Sequence, residues 1–308
     1  MSKKMLANAM LTITALIWGV SFVFQRKGMD YIEPLTFAAS RLVLAALAVT
    51  LVAMIMDFRD GKKPGAAIEK TPEADTYRKN TLLGGVLAGL CLTGAGAFQQ
   101  MGVVYTTAGK AGFITAMYML LVPILHFLLF KKRNGWHVWL AVLLGVAGMF
   151  LLCMTESFRL GRGDALVSVC ALLFSGHILC CDHFAKAGDP LGVSAIQFIT
   201  AALISAALAL LTEQPSGEKL AAAAIPILYC GLLSGGLGYT LQIVAQRYTD
   251  PTVASLLMSR ESVFAVLAGA LLLHERMSAR ELAGCVVLFT AIVLVQIPLP
   301  DREEKECT

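Results

Sequence analysis

A chain of 308 residues in which 57% are hydrophobic and only 15% charged, with a mean hydropathy of +0.72, cannot cover a water-facing surface. Soluble domains carry roughly 25% charged residues. Lipid is therefore the natural solvent of this chain, and its modest net charge of +4 gives no reason to expect a nucleic-acid partner.

A bilayer core about 30 Å thick takes about 20 apolar residues in a helix. Ten segments approach that length: 5–25, 34–56, 81–104, 108–130, 136–154, 164–183, 190–212, 220–245, 251–273 and 279–298. The first follows Lys3 and Lys4, as a signal peptide would, but no small-residue cleavage site interrupts it and nine more segments follow. Trp18 lies well inside this segment rather than at its interfacial end. The second opens on Pro34, where a missing N–H costs nothing, and carries Arg41 about 10 Å into the span.

Residues 57–80 mix both charge signs with Pro64, Gly65 and Pro72 and read as a solvated, flexible connector. Gly85 and Gly89 in the third segment, and Gly231 and Gly235 in the eighth, each share a helical face on which backbones can approach closely. Pro123 and Pro226 are candidates for bends. His177 lies about 20 Å into the sixth segment, and Glu261 about 15 Å into the ninth, directly after Arg260. A short polar tail, 301–308, closes the chain.

With the N-terminus on the cytoplasmic side, the cytoplasmic segments hold 15 of the 25 Lys and Arg residues and the outer loops hold eight. This positive-inside bias sets both termini in the cytoplasm. Seven of the eight cysteines lie in or at the ends of spans, with no CxxC pair, so they are expected to act as small hydrophobes rather than disulfides.

The chain also aligns with itself. At an offset of 156, Ala15-Leu16 falls on Ala171-Leu172, Trp18 on Phe174, Glu33-Pro34-Leu35 on Asp189-Pro190-Leu191, Arg41 on Gln197, and Ala45-Ala46-Leu47 on Ala201-Ala202-Leu203. At an offset of 143, Gln99 meets Gln242, Tyr105-Thr106 meets Tyr248-Thr249, and Ala111 meets Ala254. Turn chemistry matches along with apolar filler. The expected fold is an all-α membrane protein of ten transmembrane helices in two inverted five-helix repeats, 1–154 and 155–300. Inverted repeats suit a solute site near the bilayer midplane around which the halves exchange conformations. The alternative is a duplication retained for folding alone.

Ionisable side chains in lipid cost roughly 2.5–3.5 kcal/mol on insertion scales and normally face a cavity or a partner. Glu261, Arg41, His177 and Arg260 are therefore candidate site residues, with Trp18, Gln99 and Gln242. Glu261 would bind a cationic group or carry a proton, and an arginine would bind a carboxylate or phosphate bidentately. Alternatively, Glu261 pairs with Arg41 or Arg260 in a salt bridge that only fixes helix register. Interhelical hydrogen bonding is the default for the two glutamines, and packing competes with cavity lining for Trp18. The run His177-x2-Cys180-Cys181-Asp182-His183 has some soft-metal character, yet no second cluster completes four ligands, so no metal is expected. Gly109-Lys110 is not a phosphate loop, and no nucleophile elbow or HExxH helix occurs. Neither catalytic residues nor a cofactor is expected.

The chain resembles the EamA-type members of the drug/metabolite transporter superfamily from about residue 6 to 298. The resemblance rests on Ala15-Leu16-Ile17-Trp18-Gly19, Gln25-Arg26-Lys27-Gly28-Met29, Tyr105 through Thr115, Pro251 through Ser255, Glu261 through Ala265, and His274-Glu275. It implies a ten-helix bundle, a central cavity open to one side at a time, and no ATP hydrolysis. The family's usual Pro after the glutamate is Ser262 here, and its usual Gly before the second glutamate is His274. The expected function is secondary transport of an amino acid or another carboxylate or zwitterion across the cytoplasmic membrane, by export or proton-linked exchange, as a monomer or homodimer. Alternatives are a nucleotide-sugar or phosphorylated-metabolite exchanger, a non-transporting membrane sensor, or an intramembrane enzyme.

Overall fold

A computed structural model describes residues 3–59, 71–131, 136–153 and 161–296. Among them the only regular structure is helical. In chain order the helices are α1 (Lys3–Gly28), α2 (Pro34–Arg59), α3 (Pro72–Val103), α4 (Ala108–Thr115), α5 (Tyr118–Phe130), α6 (Trp136–Cys153), α7 (Arg162–Ala187), α8 (Pro190–Thr212), the short α9 (Gly217–Ala222) and α10 (Ala224–Leu228), a π-helix (Tyr229–Tyr239) running into α11 (Thr240–Gln246), then α12 (Pro251–Met258), α13 (Glu261–Leu272) and α14 (Ala279–Gln296). Eight helical stretches among the described residues are long and apolar enough to cross a membrane; α4–α5, α10–α11 and α12–α13 each count as one. The remaining apolar segments, α6 and α14, pack against each other.

Local chemistry sets the helix ends. Thr71 caps α3 by accepting from Ala74 N at 3.2 Å, with Pro72 in the first turn followed by Glu73 and Asp75. This starts the helix well ahead of its apolar run, because acidic groups favour a helix N-terminus. The connector expected over 57–80 is thus helical at both ends, and its middle, 60–70, lies outside the described residues, as does the tail 301–308. Asp189 caps α8 ahead of Pro190, and Asp250 caps α12 ahead of Pro251. A distant carboxylate caps α2: Glu213 accepts from Leu35 N at 3.0 Å and Thr36 N at 2.6 Å.

Packing partners exchange when the two halves of the chain are exchanged. α3 lies on α7 as the π-helix and α11 lie on α1; α3 meets α8 as the π-helix meets α2; α1 meets α13 as α5 meets α7. α4 meets α13 as α12 meets α5, while α2 with α8 and α6 with α14 are their own counterparts. Glycines permit the tightest crossings. A Cβ on Gly89 would lie 2.6 Å from Thr200 Cβ and 2.7 Å from Gln197 O, and one on Gly231 would lie 2.9 Å from Leu44 Cβ and 3.0 Å from Arg41 O. At the offset of 156 these contacts correspond, so Gly89 and Gly231 are structural equivalents.

Ten residues then separate Gly89 from Gln99, whereas eleven separate Gly231 from Gln242. The additional residue falls within the π-helix. Such widened turns absorb single insertions without shifting the flanking helix, and they recur at functional sites.

The fourth and ninth segments are both broken, at Ala116–Met117 and Ser259–Arg260, again 143 apart. Pro123 lies inside α5, beyond the break. The second break has no proline nearby; tight turns replace one, with Ser262 N donating to Ser259 O at 3.1 Å and Ser262 Oγ to the same oxygen at 2.8 Å.

Candidate functional site

A small cavity lies where α1 to α5, α7, the π-helix, α11 and α13 converge. Six of the seven residues singled out in the sequence line it: Trp18, Arg41, Gln99, His177, Gln242 and Glu261. Arg260 is elsewhere, donating from Nη1 to Thr12 Oγ1 at 3.2 Å. It directly precedes Glu261, about 100° around a helix, so the two cannot share a face.

The lining consists of repeat pairs. Trp18 faces the cavity with Phe174, Ser21 with His177, Phe22 with Ile178, Gln99 with Gln242, and Tyr118 with Glu261. The first three pairs follow the offset of 156 and the last two that of 143. Charge breaks this symmetry: Arg41 answers Gln197, and Glu261 answers Tyr118. Shape compensates at one place, since Gly96 is the counterpart of Tyr239, and a Cβ on Gly96 would come within 3.4 Å of Arg41 Nη2.

Hydrogen bonds hold part of this lining. His177 Nε2 and Gln197 Oε1 are 2.9 Å apart, with both residues buried. Gln99 donates to Thr115 Oγ1 at 3.3 Å, and Gln242 donates to Gln246 Oε1 at 3.0 Å. Trp18 Nε1 donates to Ser234 O, inside the π-helix, at 3.1 Å. Tyr239, at the end of the π-helix, is surrounded by rings: Trp18 at 4.6 Å, His177 at 5.7 Å, Phe198 at 5.8 Å and Phe174 at 6.3 Å between centroids.

Other polar atoms here have no partner. Buried without a hydrogen bond are Glu261 Oε1, Tyr118 Oη, Gln242 Oε1, Gln25 Oε1, Gln197 Nε2 and Arg41 Nε. Among the described residues no ion pair joins Glu261 to Arg41 or Arg260. The register-fixing salt bridge considered from the sequence is therefore not formed. Orphaned polar atoms in a low-dielectric interior cost about 1–3 kcal/mol each, more when charged. Of these residues Glu261, Tyr118, Gln242, Gln25 and Arg41 line the hollow, and Gln197 lies behind it on His177.

The hollow holds about 30 Å³ of water-sized space, enough for one or two waters and far below the 300–1,000 Å³ typical of ligand pockets. A wide polar vestibule of about 710 Å³ opens near Asp164, lined by Arg26, Lys27, Lys110, Asp164, Glu275 and Glu281. Lys110 Nζ lies 3.4 Å from Asp164 and 3.5 Å from Glu281, and the Glu275 carboxylate caps α4 by accepting from Ala108 N and Gly109 N at 2.8 and 3.1 Å. Along α1, α4 and α13 an apolar layer of Phe22, Ala111, Ile114, Ala265 and Ala268 separates vestibule from cavity. Gly112 tightens it: a Cβ there would meet Ala265 Cβ at 2.4 Å.

Tyr118, Tyr239, Gln197 and Ser234 were not among the residues read from the sequence as site candidates. A tyrosine in an apolar helix resembles core filler, although Tyr118 aligns with Glu261 at the offset of 143.

The profile of the EamA-like transporter family matches residues 5–154 and again residues 161–297. An uncharacterized transporter of Archaeoglobus fulgidus is 28% identical over 295 residues, covering 96% of this chain and 87% of its own length. The uncharacterized transporter YoaV of Bacillus subtilis is 23% identical, covering 91% of this chain and 92% of its own. A WAT1-related chloroplast protein of Arabidopsis thaliana is 24% identical over 91% of this chain and 67% of its own length. One crystal structure superposes with a TM-score of 0.66 over 93% of this chain and 95% of its own, at 16% identity, a likeness of fold.

Proposed function

From the premise that this chain belongs to the EamA-like transporter family and is a multi-pass membrane transporter, we propose that it moves an amino acid, or another small carboxylate or zwitterion, across the cytoplasmic membrane by alternating access. Its ten spans form two inverted repeats, 1–154 and 155–300, with both termini cytoplasmic. Export, or exchange for protons, is the direction of work.

One observation carries this reading. The unpaired Arg41 and Glu261 face the same cavity without touching each other. A purely structural pair would be more stable in contact, because an uncompensated charge in lipid is expensive. A solute bearing a carboxylate and an ammonium satisfies both at once: the Arg41 guanidinium takes the anionic end, and Glu261 with the Gln242 and Tyr118 oxygens takes the cationic end. When no solute is bound, Glu261 is the group able to accept a proton. The small cavity and the wide polar vestibule near Asp164 describe a state awaiting an opening movement.

Purified protein in proteoliposomes is the test, with pooled radiolabelled metabolites and an imposed pH gradient. Amino acids or related zwitterions should accumulate, faster with the gradient, and Arg41→Ala should abolish uptake. Flux in Glu261→Gln equal to wild type at every pH would refute the proton-carrier role. Absence of any flux across the pool would refute the substrate class.

A further inference from the structure

The two ends of the bundle can be compared residue by residue through the repeat. At one end Thr106, in the turn between α3 and α4, donates from Oγ1 to Asp164 Oδ1 on α7 at 2.9 Å. Asp164 is buried and also faces Lys110. Offsets of 143 and 156 carry Thr106 to Thr249 and Asp164 to Asn8. Thr249 occupies the turn between α11 and α12, and Asn8 lies near the start of α1, which packs on α11 and α12. This second pair makes no hydrogen bond. Thr249 Oγ1 and Asn8 Oδ1 are both buried with no hydrogen-bond partner, and Thr249 is only 5% exposed.

The residues at the crossings beneath the two pairs differ as well. Beneath the Thr106–Asp164 contact, α3 and α7 meet through two glycines. A Cβ on Gly102 would lie 2.6 Å from Val167 Cγ2, and one on Gly163 would lie 2.8 Å from Gly102 O. Their counterparts are Ala245 and Ala7, both buried. On α1 and α11 methyl groups thus stand at the positions where glycines let α3 and α7 touch. Lys110, which reinforces Asp164, corresponds to Val253.

We infer that Asn8 and Thr249 are the latch of the opposite conformation: their side chains bond when the cavity closes at the Asn8 end and opens at the Asp164 end, while the Thr106–Asp164 bond breaks. The inference rests on the alternating-access reading above. It accounts for two orphaned polar atoms at equivalent repeat positions, each of which is costly to leave unsatisfied. The Asp164 contact is the stronger of the two, since a charge-assisted bond outweighs a neutral one.

The native Cys230 provides the readout. Its Sγ is 3.4 Å from Ser21 Oγ, and it shares a small pocket with Arg41 and Ser234, so only an opened cavity exposes it. A membrane-impermeant methanethiosulfonate reagent is applied to either face of sealed proteoliposomes, and labelling of Cys230 is followed by peptide mass spectrometry. Thr249→Val should lower the ratio of labelling from the Asp164 face to labelling from the Asn8 face about fivefold, the population shift that one hydrogen bond confers. Asn8→Ala should act in the same direction and Thr106→Val in the opposite one. Thr249→Ser, which keeps the hydroxyl, should match wild type and so separates loss of the bond from misfolding. An unchanged or raised ratio in Thr249→Val, with flux intact in wild-type vesicles, overturns the latch alone. Wild-type vesicles with neither flux nor labelling from both faces overturn the transport reading beneath it.

Discussion

Tyr118 and Glu261 hold the same place in the two halves: each is the first residue after a broken helix, and the phenol of one faces the carboxylate of the other in one cavity. Discontinuous helices recur at transporter sites because their ends present polar groups at membrane depth. Tyr118→Phe removes the phenol that faces the Glu261 carboxylate, so the solute-free protein should change in stability by no more than about 1 kcal/mol. Uptake should nevertheless fall about tenfold if the phenol contacts the solute. Thermal unfolding and flux measured on one preparation separate the effects; a loss of stability would mean that the phenol is part of the scaffold.

Gly19 lets α1 touch α13 just beneath Glu261. A Cβ there would lie 2.3 Å from Phe264 Cβ and 2.7 Å from Glu261 O. Gly19→Ala should destabilise the protein by about 1–3 kcal/mol through overpacking. The midpoint of unfolding in detergent reports this, and an unaltered midpoint would show that α13 yields without cost.

His274 adopts φ 54°, a left-handed conformation that costs an L-residue roughly 1–2 kcal/mol. It lies directly before Glu275, whose carboxylate caps α4, at a position where family members usually carry glycine. His274→Gly should therefore stabilise by about 0.5–1 kcal/mol, the greater freedom of glycine in the unfolded chain offsetting part of the gain. A lowered melting temperature would point to an imidazole contact that matters more than the strain.

Glu33 pairs with Lys219, tying the α1–α2 turn to α9, and the hydrogen bond from that ammonium holds the Glu33 carboxyl below its ordinary range. A carboxyl lowered in the folded state stabilises above its unfolded pKa, and the benefit disappears as pH falls through the folded value. Glu33→Gln should thus melt slightly earlier than wild type at neutral pH, by under about 1 kcal/mol for a partly exposed pair. The two melting curves should merge in acid. A difference that persists under acidic conditions would assign the effect to packing.

Spans, proline-led helix starts and costly polar residues were visible in the sequence because each has a local signature: an apolar run, Pro34 or Pro190, a lone Glu261 in hydrocarbon. Arg260 directly precedes Glu261, and its guanidinium reaches Thr12 instead of the cavity, a difference that residue type alone does not reveal. Tyr239 was missed because an aromatic among apolar residues looks like filler until its four neighbouring rings are seen. The start of α3 was placed too late because Thr71, Pro72, Glu73 and Asp75 begin a helix that hydropathy alone assigns to a loop. The π-helix could have been found only by comparing the glycine registers of the two halves, a difference of one residue among many apolar matches.

That one residue has a lasting effect. A deletion anywhere in 229–239 would return the stretch to ordinary α-helix and rotate everything on one side of it by about 100°. Either the Gly231 face would leave α2, or Tyr239 and Gln242 would leave the cavity. No exchange of side chains can make the two halves alike, because what distinguishes them is the number of peptide units between two fixed points. The lopsidedness of the chamber is written into chain length, beyond the reach of any point mutation.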